Sequence, residues 1–262
     1  MVDALLSLRD VDVTLGHGAR ETAVLRGVGF DVPRASSVAL VGESGSGKST
    51  IARAIMGIHR IREGRIVFDG RDLAHASRAQ RAATRRRIQL IPQDPYSSLD
   101  PRRTVGQTLA EAVDPVRASV RAYRPRIAGA LEAVALDADA IDRYPHEFSG
   151  GQRQRIAIAR ALATDPTVII ADEITSALDV STQAEILVLL QRLREELDLT
   201  MLFISHNLAV VHQLCDRIVV LLHGEVVEQG LTDEVFRHPS SDYTRELIES
   251  VPGGPAFRLD AA

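Results

Sequence analysis

The sequence predicts an α/β protein from three features: two apolar runs of strand length, a β-rich N-terminal part, and a helical segment between the runs. The two runs are Ser37–Val41 and Thr167–Ala171. Short continuous apolar runs are typical of strands that are buried on both faces of a parallel sheet. We therefore expect an α/β core that is built on these two strands.

The other elements follow from the spacing of apolar residues and from turn signals. The predicted N-terminal strands are Leu5–Thr14, Ala23–Asp31 and Arg65–Phe68, and a helix is predicted over Thr50–Ile58. The helical segment contains the predicted helices Thr104–Ala112, Val120–Leu136 and Gln152–Ala163, which we expect Pro115, Pro125 and Pro145 to interrupt. The core then resumes with helices Ser181–Leu197 and Leu208–Leu214 and with strands Thr200–Ser205, Ile218–Leu222 and Glu225–Glu228.

The composition is that of a globular protein without a general affinity for nucleic acid. The chain has 262 residues, of which 45% are hydrophobic and 25% are charged, and its net charge is −4. The cluster Arg85–Arg87, with Arg78 and Arg81, has no stacking aromatics beside it. We interpret this cluster as a solvated helix face rather than a nucleic-acid patch.

Cysteine content and apolar runs bear on the location of the chain. Cys215 is the only cysteine, so it forms no internal disulfide, and we expect it to pack in or near the core. The charged start of the chain is unlike a signal peptide, and the apolar runs are far below the roughly 20 residues that span a bilayer. We therefore expect a cytosolic chain, whose membrane role would come through a partner.

The most specific motif surrounds the only lysine. Of the 31 basic residues, all but Lys48 are arginine. The motif lies between the strand Ser37–Val41 and a helix, in the order of a P-loop, and reads Gly42, Glu43, Ser44, Gly45, Ser46, Gly47, Lys48, Ser49, Thr50. Glycines let successive backbone N–H groups face a diphosphate, and the helix N-terminus adds positive charge. Lys48 would reach the β- and γ-phosphates and Ser49 would ligate Mg²⁺. The alternative is a flexible turn with a solvated lysine.

Two carboxylates follow the second apolar run. Asp172 and Glu173 lie at the carboxyl end of a strand that we expect to be buried, where a negative charge is costly unless a cation is near. Beside a bound nucleotide, Asp172 would hold Mg²⁺ and Glu173 would orient or deprotonate the attacking water. The alternative is a strand that ends in a solvated acidic turn.

A second candidate anion site identifies a family. Ser149, Gly150, Gly151 and Gln152 open a predicted helix, with Ser149 as a plausible N-cap. A capped helix would explain these residues by themselves. These four residues, however, stand shortly before Asp172-Glu173, and in that position they resemble the signature sequence of ABC-type ATPases.

This resemblance assigns further motifs. Gln93 resembles the Q-loop glutamine, which in the family senses Mg²⁺ and water and couples the site to the transmembrane partner. Residues Ser176–Asp179 resemble the D-loop, in which Asp179 would contact the opposing subunit. His206 resembles the switch histidine that touches the γ-phosphate. Each has a simpler interpretation: a solvated glutamine, a helix-capping aspartate, and a packed histidine.

The resemblance also implies an architecture. It covers roughly Leu5 to Val235 and implies a P-loop ABC-type nucleotide-binding domain over residues 1–235. An antiparallel β subdomain would lie at the N-terminus, and an α-helical subdomain would be inserted at about 94–163. Two subunits of the family pack head to tail, so that each ATP lies between the P-loop of one and the signature residues of the other.

Two segments resemble the peptide and nickel importer branch of the family. One is Gln93–Arg102 after the Q-loop, and the other begins at His238-Pro239 and includes Tyr243–Leu247 and Val251-Pro252. The resemblance implies a short C-terminal extension over 236–262, a transmembrane permease as partner, a second ATPase subunit that is a different chain or a copy, and an external solute-binding protein. The chain would then lie at the cytoplasmic face of the cell membrane.

Some residues depart from the family pattern. No aromatic residue lies near Val13–Leu15, where one usually stacks on adenine. Asn207 stands where an acid often follows the histidine. The extension lacks the cysteines that bind an iron–sulfur cluster in some members, so we expect no cluster.

Two other functions stay open at this point. One is a soluble ABC ATPase that serves a non-transport assembly, such as phosphonate breakdown or iron–sulfur cluster building. The other is a binding module that uses ATP only as a conformational switch, although the carboxylate of Glu173 favours hydrolysis.

Overall fold

The computed structural model describes residues 4–16, 21–94, 98–176 and 178–250, apart from the side chain of Arg78. The chain forms two compact units. The first combines residues 1–84 with residues 200–262, and the second comprises residues 85–199.

The first unit contains most of the strands. Its elements before the second unit are β1 (Ala4–Leu15), β2 (Thr22–Pro33), β3 (Ser37–Val41), α1 (Lys48–Ile55), β4 (Glu63–Phe68) and β5 (Arg71–Asp72). Helix α2 (Arg78–Arg87) contains the point in the sequence, between Thr84 and Arg85, where the first unit ends and the second begins. After the second unit come β8 (Thr200–Ile204), α7 (Leu208–Leu214), β9 (Arg217–Leu222), β10 (Glu225–Leu231), α8 (Thr232–Arg237) and α9 (Asp242–Glu249).

The strands of the first unit belong to two sheets. An antiparallel sheet has the order β2-β1-β4-β5, as the predicted N-terminal subdomain requires. The other strands follow the order β10-β9-β3-β8, in which β3 pairs in parallel with both β8 and β9. Every residue of β3 and β8 is buried, which agrees with their continuous apolar sequences.

The start of β3 is fixed by a carboxylate from a distant part of the chain. The Asp216 carboxylate accepts a hydrogen bond from the Ser37 backbone N–H at 2.8 Å, and the Ser37 hydroxyl donates to the Leu214 carbonyl at 2.7 Å. Because β3 ends at Val41, the next residue, Gly42, begins the loop at the carboxyl end of this buried strand.

The second unit combines two parallel strands with helices. Its elements are β6 (Ile88–Ile91), α3 (Val105–Val113), α4 (Val120–Ala133), α5 (Gly150–Leu162), β7 (Val168–Asp172) and α6 (Val180–Glu196), with 3-10 turns at Ala138–Asp142 and Pro145–Glu147. Strand β6 pairs with β7 from Ile88↔Val168 to Ile91↔Ala171. The sequence does not predict β6, because a four-residue strand interrupted by a glutamine gives too little pattern.

One predicted interruption is wrong. Helix α4 continues through Pro125 instead of breaking there. A proline in the second turn removes one backbone hydrogen bond, while the rest of the helix buries Ile127, Ala130 and Leu131. Tertiary packing of this apolar face therefore outweighs the local cost of the proline.

The expected burial of Cys215 is confirmed. Of the predicted arginine cluster on helix α2, Arg81, Arg85 and Arg86 are exposed and Arg87 is half-buried. Among the residues that the structure describes, no helix combines the length and the apolar character needed to cross a bilayer.

Glycines in two helices of the second unit give a matched test of packing. Gly106 in α3 is buried, and a Cβ there would lie 2.6 Å from Ile141 Cγ2, whereas nothing lies within 4 Å of a Cβ at Gly129 in α4. We expect Gly106→Ala to lower the free energy of unfolding by about 1–3 kcal/mol through overpacking. We expect Gly129→Ala to raise it by roughly 0.5–1 kcal/mol. Urea unfolding of both variants measures these changes, and equal effects would contradict the packing argument.

Candidate functional site

The predicted P-loop connects β3 to α1 in the first unit. Its glycines have positive φ, with 145° at Gly42, 83° at Gly45 and 109° at Gly47. A Cβ at Gly42 would lie 2.1 Å from the Leu221 carbonyl oxygen, and one at Gly47 would lie 2.6 Å from Leu25 Cδ2. Both the backbone conformation and the available space therefore require glycine at positions 42 and 47.

The side chain of Lys48 turns back into this loop. Lys48 is the first residue of α1 and is 5% exposed. Its Nζ donates hydrogen bonds to the backbone carbonyls of Gly42 at 2.8 Å and of Glu43 at 2.7 Å. A buried ammonium group requires polar partners, and these carbonyls supply them without neutralising its charge. The ammonium group therefore lies within the loop that the sequence predicts to bind phosphates.

The other P-loop residues differ in exposure. Ser44 and Gly45 are exposed at the tip, while Ser49 and Thr50 are half-buried in the first turn of α1. Ser46 is buried, and its hydroxyl has no hydrogen-bond partner among the described residues. A buried hydroxyl without a partner is costly, so this group is suited to an acceptor such as a phosphate oxygen.

The predicted switch histidine follows β8 in the same unit. His206 is exposed, and the next residue, Asn207, is the N-cap of α7. The Asn207 side chain accepts hydrogen bonds from the N–H groups of Ala209 at 3.1 Å and Val210 at 3.4 Å. The Ser205 hydroxyl accepts from the Asn207 N–H at 3.0 Å. Helix capping therefore explains the asparagine at this position and fixes the turn that carries His206.

In the second unit, the structure brings Gln93 and Glu173 together. The Gln93 amide donates to a Glu173 carboxylate oxygen at 3.0 Å and to the Ser176 hydroxyl at 3.3 Å. The Ser176 hydroxyl in turn donates to the Glu173 carbonyl at 2.9 Å. These bonds orient the carboxylate of the predicted catalytic base.

The register of two strands explains this convergence. Gln93 follows Ile91 by two residues, and Ile91 pairs with Ala171, which precedes the half-buried Asp172. The carboxyl ends of neighbouring parallel strands therefore deliver these side chains to one edge. Glu173 also has a φ of 47°, a conformation that is strained for a residue other than glycine. Such strain is typical of functional positions and persists only where the surroundings impose it.

The signature residues begin helix α5 as a capping box. The Ser149 hydroxyl accepts a hydrogen bond from the Gln152 N–H at 3.3 Å, and the Gln152 side chain accepts from the Ser149 N–H at 3.0 Å. Gly150 and Gly151 form the first turn between them. A Cβ at Gly151 would lie 2.5 Å from Thr182 Cγ2, so contact with α6 requires this glycine. The predicted N-cap role of Ser149 is confirmed.

Asp179 caps helix α6. Its carboxylate accepts hydrogen bonds from the Ser181 hydroxyl at 2.6 Å, the Thr182 N–H at 2.9 Å and the Thr182 hydroxyl at 2.8 Å. These bonds, that from Ser181 above all, lower the pKa of Asp179 to about 2. The carboxylate is therefore charged at neutral pH, and the capping interpretation accounts for it within this chain.

Some predicted motif residues lie outside the described part of the chain. These are Pro95, Tyr96 and Ser97 after the Q-loop, Ala177 within the D-loop, and residues 251–262 of the extension.

Sequence reasoning did not predict that the C-terminal part of the chain contacts the P-loop. The hydroxyl oxygen of Tyr243, in α9, accepts a hydrogen bond from the Glu43 N–H at 3.0 Å. Tyr243 attracts attention in the sequence only through the branch resemblance, since a pair separated by 200 positions leaves no local pattern.

Comparison with known proteins decides the family. The family model described as "ABC transporter" matches residues 25–176, more than half of the chain. A Brucella ovis protein named as a peptide import ATP-binding protein is 47% identical over 249 residues, which cover 95% of this chain and 78% of that protein.

The chain belongs to the ABC transporter family. The oligopeptide transport ATP-binding protein AmiF of Streptococcus pneumoniae is 43% identical over 255 residues, which cover 96% of this ABC chain and 83% of AmiF. The solved dimeric structure of the ATP-binding cassette MJ0796, in a post-hydrolysis state with ADP and Pi, superposes with a TM-score of 0.76 at 30% identity. That superposition covers 87% of this chain and 98% of the other. The predicted ABC ATPase fold is confirmed, and ATP hydrolysis is the activity of this ABC subunit.

The P-loop of this ABC ATPase fits a nucleotide. Among the described residues the buried Ser46 hydroxyl has no hydrogen-bond partner, so it can donate to a phosphate oxygen. Glycine at 42 and 47 permits the backbone path of the loop, where a Cβ would clash with Leu221 or Leu25. The Lys48 ammonium adds positive charge inside the same loop. The Ser49 hydroxyl in the first unit, and the Gln93 amide and the Asp172 carboxylate in the second unit, are each oxygen donors of the type that Mg²⁺ prefers.

Proposed function

We propose that this chain is the ATP-hydrolysing subunit of an importer that drives the uptake of peptides through a transmembrane permease. The observation that carries the proposal is the buried Lys48 ammonium held by the P-loop carbonyls, in a loop whose buried Ser46 hydroxyl has no hydrogen-bond partner in the described part of the chain. The peptide class rests on relatives named for peptide import and oligopeptide transport. Nickel uptake and a soluble, non-transport ABC assembly have less support, since neither relative is named for them.

ATP would be held mainly through its phosphates. The N-terminus of α1 favours an anion, and the Lys48 ammonium would exchange its carbonyl partners for the β- and γ-phosphate oxygens. Glycines at 42, 45 and 47 allow this backbone path. The adenine would make apolar contact near Leu15 instead of stacking on an aromatic ring.

Hydrolysis would use the acidic residues Asp172 and Glu173 at the carboxyl end of β7 in the second unit. Mg²⁺, when bound, would neutralise charge on the phosphates, with Ser49, Gln93 and Asp172 as its ligands. Glu173 would accept the proton of the attacking water, and the Gln93 amide keeps its carboxylate oriented for this step. His206 would contact the γ-phosphate.

Two subunits would complete each site. Ser149, Gly150, Gly151 and Gln152 of one subunit would contact the ATP that is bound to the P-loop of the other, and Asp179 would contact the opposing subunit. The capped start of α5 supports this arrangement, because its N–H groups and helix dipole favour an anion. The partner would be either a second copy or a different ATPase chain.

The permease would place the chain at the cytoplasmic face of the cell membrane. We assign residues 1–235 to the ATPase domain, with the helical subdomain at about 94–163, and residues 236–262 to a short extension. The segment Asp94–Arg103 would meet the permease, and an external solute-binding protein would deliver the solute.

The lysine at position 48 gives the first test. We expect Lys48→Arg to weaken ATP binding about 100-fold, equivalent to about 2.7 kcal/mol, because a planar guanidinium does not fit where a compact ammonium bridges two carbonyls. Arg53→Lys, which reverses the exchange at an exposed position of the same helix, should change the affinity less than twofold. Isothermal titration with ATP measures both. Undiminished binding by Lys48→Arg would defeat the assignment of the site.

The carboxylate of Glu173 gives the second test. We expect Glu173→Gln to keep ATP binding but to lower the turnover number at least about 100-fold, because a general base contributes roughly 10²–10⁴ in rate. The variant should also accumulate as an ATP-bound dimer in gel filtration. Glu195→Gln, at an exposed position of α6, should hydrolyse ATP at the parent rate. Parent-rate turnover by Glu173→Gln would show that another group is the base.

The transport role needs a separate experiment. We expect a tagged chain to co-purify from membranes with a permease, and the reconstituted complex to take up peptide in the presence of ATP but not with the Lys48→Arg variant. Labelled oligopeptide and nickel, offered in parallel, distinguish the two solute classes. Recovery only in a soluble complex would contradict the importer proposal.

A further inference from the structure

The C-terminal extension contacts the phosphate-binding loop in the first unit. Tyr243 is the second residue of α9, and its hydroxyl oxygen accepts a hydrogen bond from the Glu43 N–H at 3.0 Å. Glu43 is the second residue of the P-loop and precedes the residues that would contact phosphates. The extension therefore contacts the P-loop at a residue outside the proposed phosphate contacts.

One peptide group connects Tyr243 to the lysine. The carbonyl of the Gly42–Glu43 peptide accepts a hydrogen bond from Lys48 Nζ at 2.8 Å, while the N–H of the same peptide donates to Tyr243. Because a peptide group is planar and rigid, a bond that fixes its N–H also fixes the direction of its carbonyl. The two bonds also polarise the same group in the same sense and strengthen each other.

The start of helix α9, which carries Tyr243, is fixed by a hydrogen-bond network around the half-buried Glu228. The Glu228 carboxylate, in β10, accepts hydrogen bonds from the Ser240 N–H and hydroxyl, both at 2.8 Å, and from the Ser241 N–H at 3.1 Å. Burial acts to raise the pKa of Glu228, but the hydrogen bonds outweigh it, so the pKa is lower than usual. The charged carboxylate thus anchors the residues at the start of α9, directly before Tyr243.

The phenol of Tyr243 stays neutral in this setting. The side chain is half-buried, and burial raises its pKa above the ordinary value. A neutral hydroxyl oxygen can accept the Glu43 N–H bond throughout the physiological pH range.

We propose that Tyr243 is a positioning residue for nucleotide binding, which acts through the Gly42–Glu43 peptide on the ammonium group of Lys48. The inference rests on the proposed function, in that Lys48 must bind phosphates for its position to matter. The extension then has a function within its own subunit: it sets how firmly the P-loop is organised for ATP.

The test replaces the hydroxyl and keeps the ring. We expect Tyr243→Phe to raise the dissociation constant and the KM for ATP about fivefold, the equivalent of one ordinary hydrogen bond, with kcat changed less than twofold. Tyr123→Phe is the matched control, because it removes a hydroxyl that donates to Asp114 at 2.9 Å in the second unit. That variant should bind ATP as the parent does, even if its thermal midpoint falls.

A second variant and a second measurement make the outcome decisive. Hydrogen exchange at the P-loop peptide that contains Glu43 should accelerate in Tyr243→Phe but not in Tyr123→Phe. Glu228→Gln should also raise the ATP dissociation constant, by a smaller factor than Tyr243→Phe. If Tyr243→Phe does not fold, Glu228→Gln provides the test.

The results separate this inference from the proposed function. A parent chain that does not bind ATP overturns the proposed function and this inference with it. A parent that binds ATP, together with a folded Tyr243→Phe variant whose ATP affinity and Glu43 exchange match the parent, overturns only the role of Tyr243.

Discussion

The structure of the site depends on one interaction, the burial of a single ammonium group within a loop of backbone carbonyls. Lys48 Nζ contacts the carbonyls of Gly42 and Glu43, and no shorter or branched cation could bridge them in this way. The loop can form this cage because Gly42 and Gly47 adopt backbone conformations, and leave space, that other residues cannot. Strand β3, fixed at its start by Asp216, supplies the rigid base from which the loop begins.

The second unit organises its chemistry through strand register. Parallel pairing of β6 and β7 brings Gln93 beside Glu173, although 80 positions separate them in sequence. The positive φ of Glu173 is imposed at the same edge, and the Ser176 hydroxyl holds the carbonyl of that residue. The hydrogen bond from the Gln93 amide fixes the direction of the Glu173 carboxylate, as its proposed role as the general base requires.

Two predicted site residues have structural roles as well. Ser149 and Asp179 are each the N-cap of a helix, as is Asn207, which follows the predicted switch histidine. Capping satisfies only one or two of the N–H groups at a helix start, so others stay available to an anion, and the two roles are compatible. This explains why the capping and the family interpretations of Ser149 and Asp179 both agree with the sequence.

The sequence by itself determined the P-loop, the strand before it, the acidic pair Asp172-Glu173 and the capped start of α5. These are local patterns, in which residue type and spacing within one element carry the physical requirement. Tertiary structure alone decided that α4 passes through Pro125, that Ile88–Ile91 is a strand and that Tyr243 meets Glu43. Each of these three features depends on burial or on contacts between segments that are distant in sequence. The energies of such contacts are set by the packing of the whole chain, so the residues next to each position do not predict them.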